Sequence, residues 1–264
     1  MCQSIYAQCG ELISKVYTKS IHYRELNDDG SALIQEQGRV NGVSLAYKWS
    51  VARPFSVALS GSLDSGLLDY DGKTQIGVPL STTTQYKHQK ISVLAAYDNA
   101  TAFGAFGLYT GIERPFWQRS IQATQLSAAI DVDYEWWQGK LGGYIKNELA
   151  KTWSLLVKYD YSTNDVGFLQ SEGRAKITLH HAGGQQESAS AWAKLNRLDS
   201  HTLGIALDKK FSNVWQGGIS IERQWDHWQP SDVGVLSGVV PLKLREPESK
   251  IQAWYFALRL RKMW

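Results

Sequence analysis

The sequence predicts an all-β chain, a ten-stranded antiparallel up-and-down transmembrane β-barrel. Three observations predict it. Apolar and polar residues alternate with period two along most of the chain. Its connections are by turns short and long. Tryptophans recur ten residues apart on one face of two neighbouring segments.

The alternation places strands near 15–26, 37–49, 55–66, 84–97, 102–114, 134–149, 153–162, 200–211, 214–228 and 250–264. Four of them show the pattern in full. In 153–162 one parity carries Trp153, Leu155, Val157, Tyr159 and Tyr161, and the other Ser154, Lys158 and Asp160. In 200–211 Leu203, Ile205, Leu207 and Phe211 oppose Thr202, Asp208 and Lys210. In 214–228 Trp215, Ile219, Ile221 and Trp225 oppose Gln216, Ser220, Glu222 and Asp226, and in 250–264 Trp254, Phe256, Leu258, Leu260 and Trp264 oppose Tyr255, Arg259 and Arg261. "VARP", "DNAT", "AKT" and "SN" join strands two to three, four to five, six to seven and eight to nine. The other joins run through 27–37, 67–84, 114–133, 163–199 and 229–249. Such a sheet has one clipped end, which holds both termini, and one end with five long loops.

Even strand number, short turns at one end and long loops at the other mark bacterial outer-membrane barrels. The tryptophans agree. Trp215 lies ten residues from Trp225, and Trp254 ten from Trp264, on adjacent antiparallel strands. At about 3.3 Å per residue and a tilt near 40°, ten residues rise roughly 25 Å along a membrane normal. This is the spacing of two aromatic girdles, the lower one joined by Trp49, Phe55, Tyr97, Trp153 and Phe211. The ending "IQAWYFALRLRKMW" resembles the C-terminal signal of outer-membrane barrels, which alternates aromatic and apolar residues and closes on Phe or Trp. The resemblance implies the barrel assembly machinery as a partner. A soluble barrel with its apolar face inward is the competing fold.

Composition narrows the classes further. Among 264 residues the net charge is +3, which gives no basic patch for nucleic acid, and no stretch approaches the roughly 18 apolar residues of a spanning helix. The two cysteines, Cys2 and Cys9, make no disulfide framework. Residues 1–14 read as a leader or periplasmic segment, in which "SIYAQ" fits the tail of a signal sequence, and 15–264 as the barrel.

With the apolar face in lipid, the other parity fills the lumen. It includes His22, Arg24, Lys158, Asp160, Asp208, Glu222, Arg259 and Arg261, with Glu222 and Arg259 expected to pair. Ten strands and this length also resemble the omptins, outer-membrane proteases. That resemblance implies an Asp–His pair and facing acidic residues at the extracellular rim, activating a water. Here "QWDHW" supplies Asp226 and His227, but adjacent strand residues point to opposite faces, and no acidic partner pair is identifiable. His180, His181 and His201 have no metal-site spacing, and no motif calls for a cofactor or metal. The long connections carry Leu67, Leu68, Val78, Phe116, Trp117, Trp192, Val239 and Val240, either packed on one another or offered to a partner.

The expectation is an outer-membrane surface protein of a Gram-negative bacterium, loops extracellular and termini periplasmic. It contacts outer-membrane lipid and lipopolysaccharide and acts as an adhesin-like structural or binding scaffold through its loops. An omptin-like peptidase and a narrow, porin-like passive pore are the alternatives.

Overall fold

The computed structural model describes residues 10–73, 78–101, 104–125, 127–166, 173–180, 189–231, 234–236, 242–244 and 246–264. Cys2, Cys9, His181, Val239 and Val240 lie outside them. Five long strands come first: β1 (Gly10–Leu26), β2 (Ala32–Ala52), β3 (Phe55–Lys73), β4 (Pro79–Thr101) and β5 (Gly104–Ile121). The next stave is broken in two, β6 (Ile130–Glu135) and β7 (Gln138–Ala150), which pair with the upper and lower parts of β5. β8 (Trp153–Thr163) follows, then β9 (Arg174–Leu179), β10 (Ala189–Lys194), β11 (Leu198–Lys210), β12 (Trp215–Trp228), β13 (Gly234–Leu236), β14 (Leu242–Leu244) and β15 (Glu248–Met263).

Every pairing is antiparallel, and β15 pairs with β1, closing a ten-stave barrel. β9 and β10 extend β6 sideways at the loop end, and β13 and β14 form a separate hairpin. Direct register partners followed round the barrel from Arg119 pass through Tyr86, Gly66, Val40, Lys19, Tyr255, Glu222, Gly204, Lys158 and Tyr144. The path returns to β5 at Gly107, a stagger of twelve residues (119 to 107). Twelve residues of stagger over ten strands tilts them by about 40° and sets a radius near 10 Å. Side chains can fill such a barrel.

The burial pattern is inverted relative to a soluble protein, and this disposes of the inward-apolar barrel. Mid-strand Leu63, Ile91, Leu108 and Leu258 are 53–62% exposed, whereas Glu113 and Asp208 are each 2% exposed. Apolar side chains form the outer band and charged ones the interior.

Two sequence expectations need correction. β1 begins at Gly10, so residues 10–14 belong to the barrel and not to the leader. Most of the described residues of the long connections are strand. The join expected over 27–37 is a tight turn, where Gly30 N donates to Asn27 O and Ser31 N to Asp29 Oδ1. Gly30 sits there at φ 79°, a conformation that favours glycine. Leu67, Leu68, Phe116, Trp117 and Trp192 likewise lie on strands. The sheet therefore projects beyond the apolar band as a rigid collar, and the only sizeable hydrophobic core among the described residues sits inside that collar.

Candidate functional site

Inside the band the six predicted lumen residues all face inward, in three groups. Glu222 accepts Lys158 Nζ at 2.8 Å and Lys15 Nζ at 3.4 Å. Asp160 lies 3.6 Å from Lys158 and 3.8 Å from Lys140, and Glu113 lies 3.2 Å from Lys140 and 3.4 Å from Lys90. Lower down, Arg259 pairs with Asp208 at 2.8 Å and Arg261 with Glu11 at 2.5 Å. The expected Glu222–Arg259 pair is not formed. Glu222 stands opposite Tyr255 in the register, whereas Arg259 stands opposite Gly218.

That glycine explains the choice. Asp208, Gly218 and Arg259 are consecutive register partners, so the missing side chain lets the ions meet across the strand between them. A Cβ at Gly218 would lie 2.2 Å from Asp208 Oδ1. The same device recurs: Lys158 reaches Glu222 over Gly204, Tyr17 reaches Asp64 over Gly42, Tyr144 reaches Asp98 over Gly107, and Tyr109 reaches Asp160 over Gly142. Sequence reading listed the charges and overlooked the glycines that let them pair. The detectable signal was a lumen-parity glycine flanked, two strands apart, by an acid and a hydroxyl or cation.

Above the band, the lumen is closed by side chains from both the expected strands and the expected connections, the latter supplying Glu36, Trp117, Arg119 and Glu246. Arg119 is 1% exposed. Its Nη2 and Nε donate to the two carboxylate oxygens of Glu36 at 2.7 and 3.3 Å, a fork that also carries positional specificity. Its Nη1 donates to Glu25 Oε1 at 2.9 Å and to the hydroxyls of Tyr23 and Tyr134 at 3.1 Å. Thr84 donates to Glu36, and Tyr134 to Glu246. Burial and the Glu25 carboxylate push Glu246 up to about 7. Aromatic rings fill the rest. Trp117 stacks on Tyr134 at 4.7 Å, and Trp136 meets Trp228 edge-on at 4.7 Å. Tyr23 and Tyr86 pack against Trp117.

The weak catalytic candidates do not converge. Asp226 points inward and accepts hydrogen bonds from Ser200 Oγ at 2.6 Å and Gln224 Nε2 at 2.7 Å. His227 points outward to Glu248 at 3.0 Å. His22 and Arg24, expected in the lumen, also point outward, where Arg24 is exposed. Their strand has risen above the apolar band there, and the inward parity is taken by Ile21 and Tyr23. His201 faces outward beside Tyr159, and His180 pairs with Asp131. No group of three His, Cys, Asp or Glu among the described residues could hold a metal.

Of the tryptophans expected in girdles, Trp49, Trp153, Trp215 and Trp264 lie toward the turn end of the barrel, and Trp225 and Trp254 lie ten residues farther along β12 and β15. The tryptophans of β12 and β15 do not meet directly as the spacing suggests. A cation separates them: Lys262 sits 5.6 Å from the Trp215 ring and 5.2 Å from Trp264, and Arg223 sits 4.9 Å from Trp225 and 5.0 Å from Trp254. Lys209 lies between Trp153 and Phe211, and Arg114 between Phe116 and Trp137. A cation lodged between rings at a membrane edge keeps its charge toward headgroups and its stem on apolar surface.

Trp264 also closes the barrel seam, its amide donating to Gly10 O at 3.1 Å. Trp264→Ala is expected to cost less than the roughly 3–5 kcal/mol of a fully packed tryptophan, because lipid yields. It should nonetheless lower the amount of barrel reaching the membrane severalfold, with Trp264→Phe near wild type. Membrane fractionation and immunoblotting measure both. A Trp264→Ala chain at wild-type level beside a depleted Tyr255→Ala control would overturn the assignment of faces.

No family model matches the chain, and no curated protein matches it in sequence. Among solved structures it is similar to the outer membrane protease OmpT from Escherichia coli, with a TM-score of 0.68 at 10% identity, covering 100% of this chain and 99% of that one. The transport unit of the autotransporter AIDA-I from Escherichia coli gives 0.49 at 9% identity over 99% and 92% of the two chains. OprG from Pseudomonas aeruginosa gives 0.43 at 8% over 97% and 95%. The fold is that of the outer-membrane β-barrels. At these identities the likeness is one of fold alone.

Proposed function

We propose that this chain is a sealed outer-membrane barrel that serves as a structural or binding scaffold at the cell surface. The observation that carries this reading is the Arg119 plug. Both carboxylates of Glu25 and Glu36, two tyrosine hydroxyls and a packed aromatic cluster occupy the loop end of the lumen, above a lumen already crossed by ion pairs. A side-chain-filled interior favours rigidity over transport. The collar of long strands, widened by β9 and β10, then acts as the platform that meets an extracellular ligand. In this reading the loop end faces outward, the termini face the periplasm, lipopolysaccharide packs at the upper girdle, and the barrel assembly machinery inserts the chain. The peptidase alternative has only the fold likeness behind it, since Asp226 and His227 diverge.

Orientation is tested with single cysteines in a Cys2→Ser, Cys9→Ser background. Ser190→Cys on β10 should react with an impermeant thiol reagent on intact cells. Ala100→Cys at the turn end should react only after permeabilisation. Equal labelling of both on intact cells would reject the reading.

A further inference from the structure

Seven lumen charges form one alternating chain round most of the barrel wall: Lys15, Glu222, Lys158, Asp160, Lys140, Glu113, Lys90. It begins and ends on a lysine, so four cations face three carboxylates. The two end lysines each have one carboxylate partner among the described residues, whereas Lys140 and Lys158 each have two. They are also the more exposed, their side chains 27% and 31% accessible against 14% and 22%. Elsewhere in the lumen Lys19, Arg259, Arg261 and Lys48 contact Asp64, Asp208, Glu11 and Asp98, His88 lies 3.7 Å from Asp64, and Asp226 accepts from Ser200 and Gln224.

The two chain ends face each other across a short arc. Lys15, Ser44, Ser62 and Lys90 are consecutive register partners on β1, β2, β3 and β4, all inward-facing. The lysine backbones are therefore three strand spacings apart, about 14 Å, and two small hydroxyl side chains lie between them. All four residues line one cavity of about 280 Å³, together with Ser60 and Ser92 and with the Glu222, Lys158, Asp160, Lys140 and Glu113 members of the chain. The cavity has room for a small ion and several waters. An excess cation in a confined lumen is costly unless an anion or water offsets it. Serine hydroxyls donate readily to an anion and add no charge of their own.

We infer that this arc is a binding site for one small monovalent anion of the halide class, held between the Lys15 and Lys90 ammonium groups and the hydroxyls of Ser44 and Ser62. Bound there, the anion makes the eighth member of an alternating ring that runs the full circumference. The site is independent of the scaffold reading and of any partner at the loop end. It is structural in effect, joining the two ends of the charged chain across β2 and β3, whose inward side chains at this level are Ser44 and Ser62.

The probe is chloride, titrated against gluconate at constant ionic strength on the refolded full-length barrel in detergent, so that general screening is unchanged. Thermal unfolding followed by tryptophan fluorescence should show Tm rising with chloride, logarithmically once chloride exceeds its Kd. Bromide should act in the same way. Ser62→Asp places a carboxylate in the arc and is expected to raise Tm in gluconate and lose the chloride response. Lys90→Gln removes the excess cation and should lose the response as well. Equal Tm values in chloride and gluconate for the wild-type barrel would overturn the site. So would a chloride response that survives in either variant.

Discussion

Replacing Arg119 with Met is expected to destabilise the collar by about 3–5 kcal/mol, the cost of leaving a buried partner charge uncompensated. Glu25 and Glu36 are 5% and 0% exposed, and the guanidinium is the one cation that either touches among the described residues. Without it, two carboxylates and the Tyr23 and Tyr134 hydroxyls face one another in a site closed by tryptophans. The loss should be local, because the band below has its own ion-pair network and can persist when the collar opens. Limited proteolysis should therefore cut the loop end of Arg119→Met while leaving a heat-modifiable barrel. Adding Glu25→Gln and Glu36→Gln to Arg119→Met should restore much of the resistance, since the two carboxylates that the guanidinium bonds are then neutral. A single mutant as resistant as wild type would show that the plug is not held by this cluster.

The second large effect belongs to Glu222, which serves two lysines. Glu222→Leu leaves Lys15 without its carboxylate partner and Lys158 with Asp160 alone, and should lower stability by roughly 3–5 kcal/mol in denaturant unfolding. A double-mutant cycle between Glu222→Gln and Lys158→Met should give a coupling energy of about 1–3 kcal/mol. The same cycle between Glu222→Gln and Arg259→Met should couple by less than about 0.5 kcal/mol, because Arg259 spends its charge on Asp208. Reversed magnitudes would mean that the register between β12 and β15 is displaced.

Much of the barrel was legible in the sequence because a membrane enforces strict alternation. Leu258, Leu260 and Trp264 against Arg259 and Arg261 leave no choice of face. The collar was illegible for the converse reason. Once β1, β4 and β5 rise above lipid, the outward parity becomes polar, with Arg24, Lys87 and Gln118, and the inward one becomes aromatic, with Tyr23, Tyr86 and Trp117. Tyr23 and Tyr86 still fall in the strands expected at 15–26 and 84–97, whereas Trp117 and Gln118 fall in 114–133, which the sequence presents as a connection. Lumen residues could be named but not paired. Partner choice depends on which strand carries the glycine between two charges, as Gly204 and Gly218 do, and register is invisible without the closed sheet. Asp226 and His227 illustrate a rule that did work, since neighbours on a strand diverge, and the structure places them on opposite faces.

The proposed sealing of the lumen is the property most open to direct measurement. Purified barrel, refolded and inserted into planar lipid bilayers, measures this without any ligand. Insertion should be confirmed by protease protection of the band strands. The wild-type protein is predicted to leave the bilayer at its baseline conductance in molar salt, with no discrete current steps. Stable, uniform single-channel steps from the wild-type chain would contradict the sealed barrel and put the narrow pore in its place.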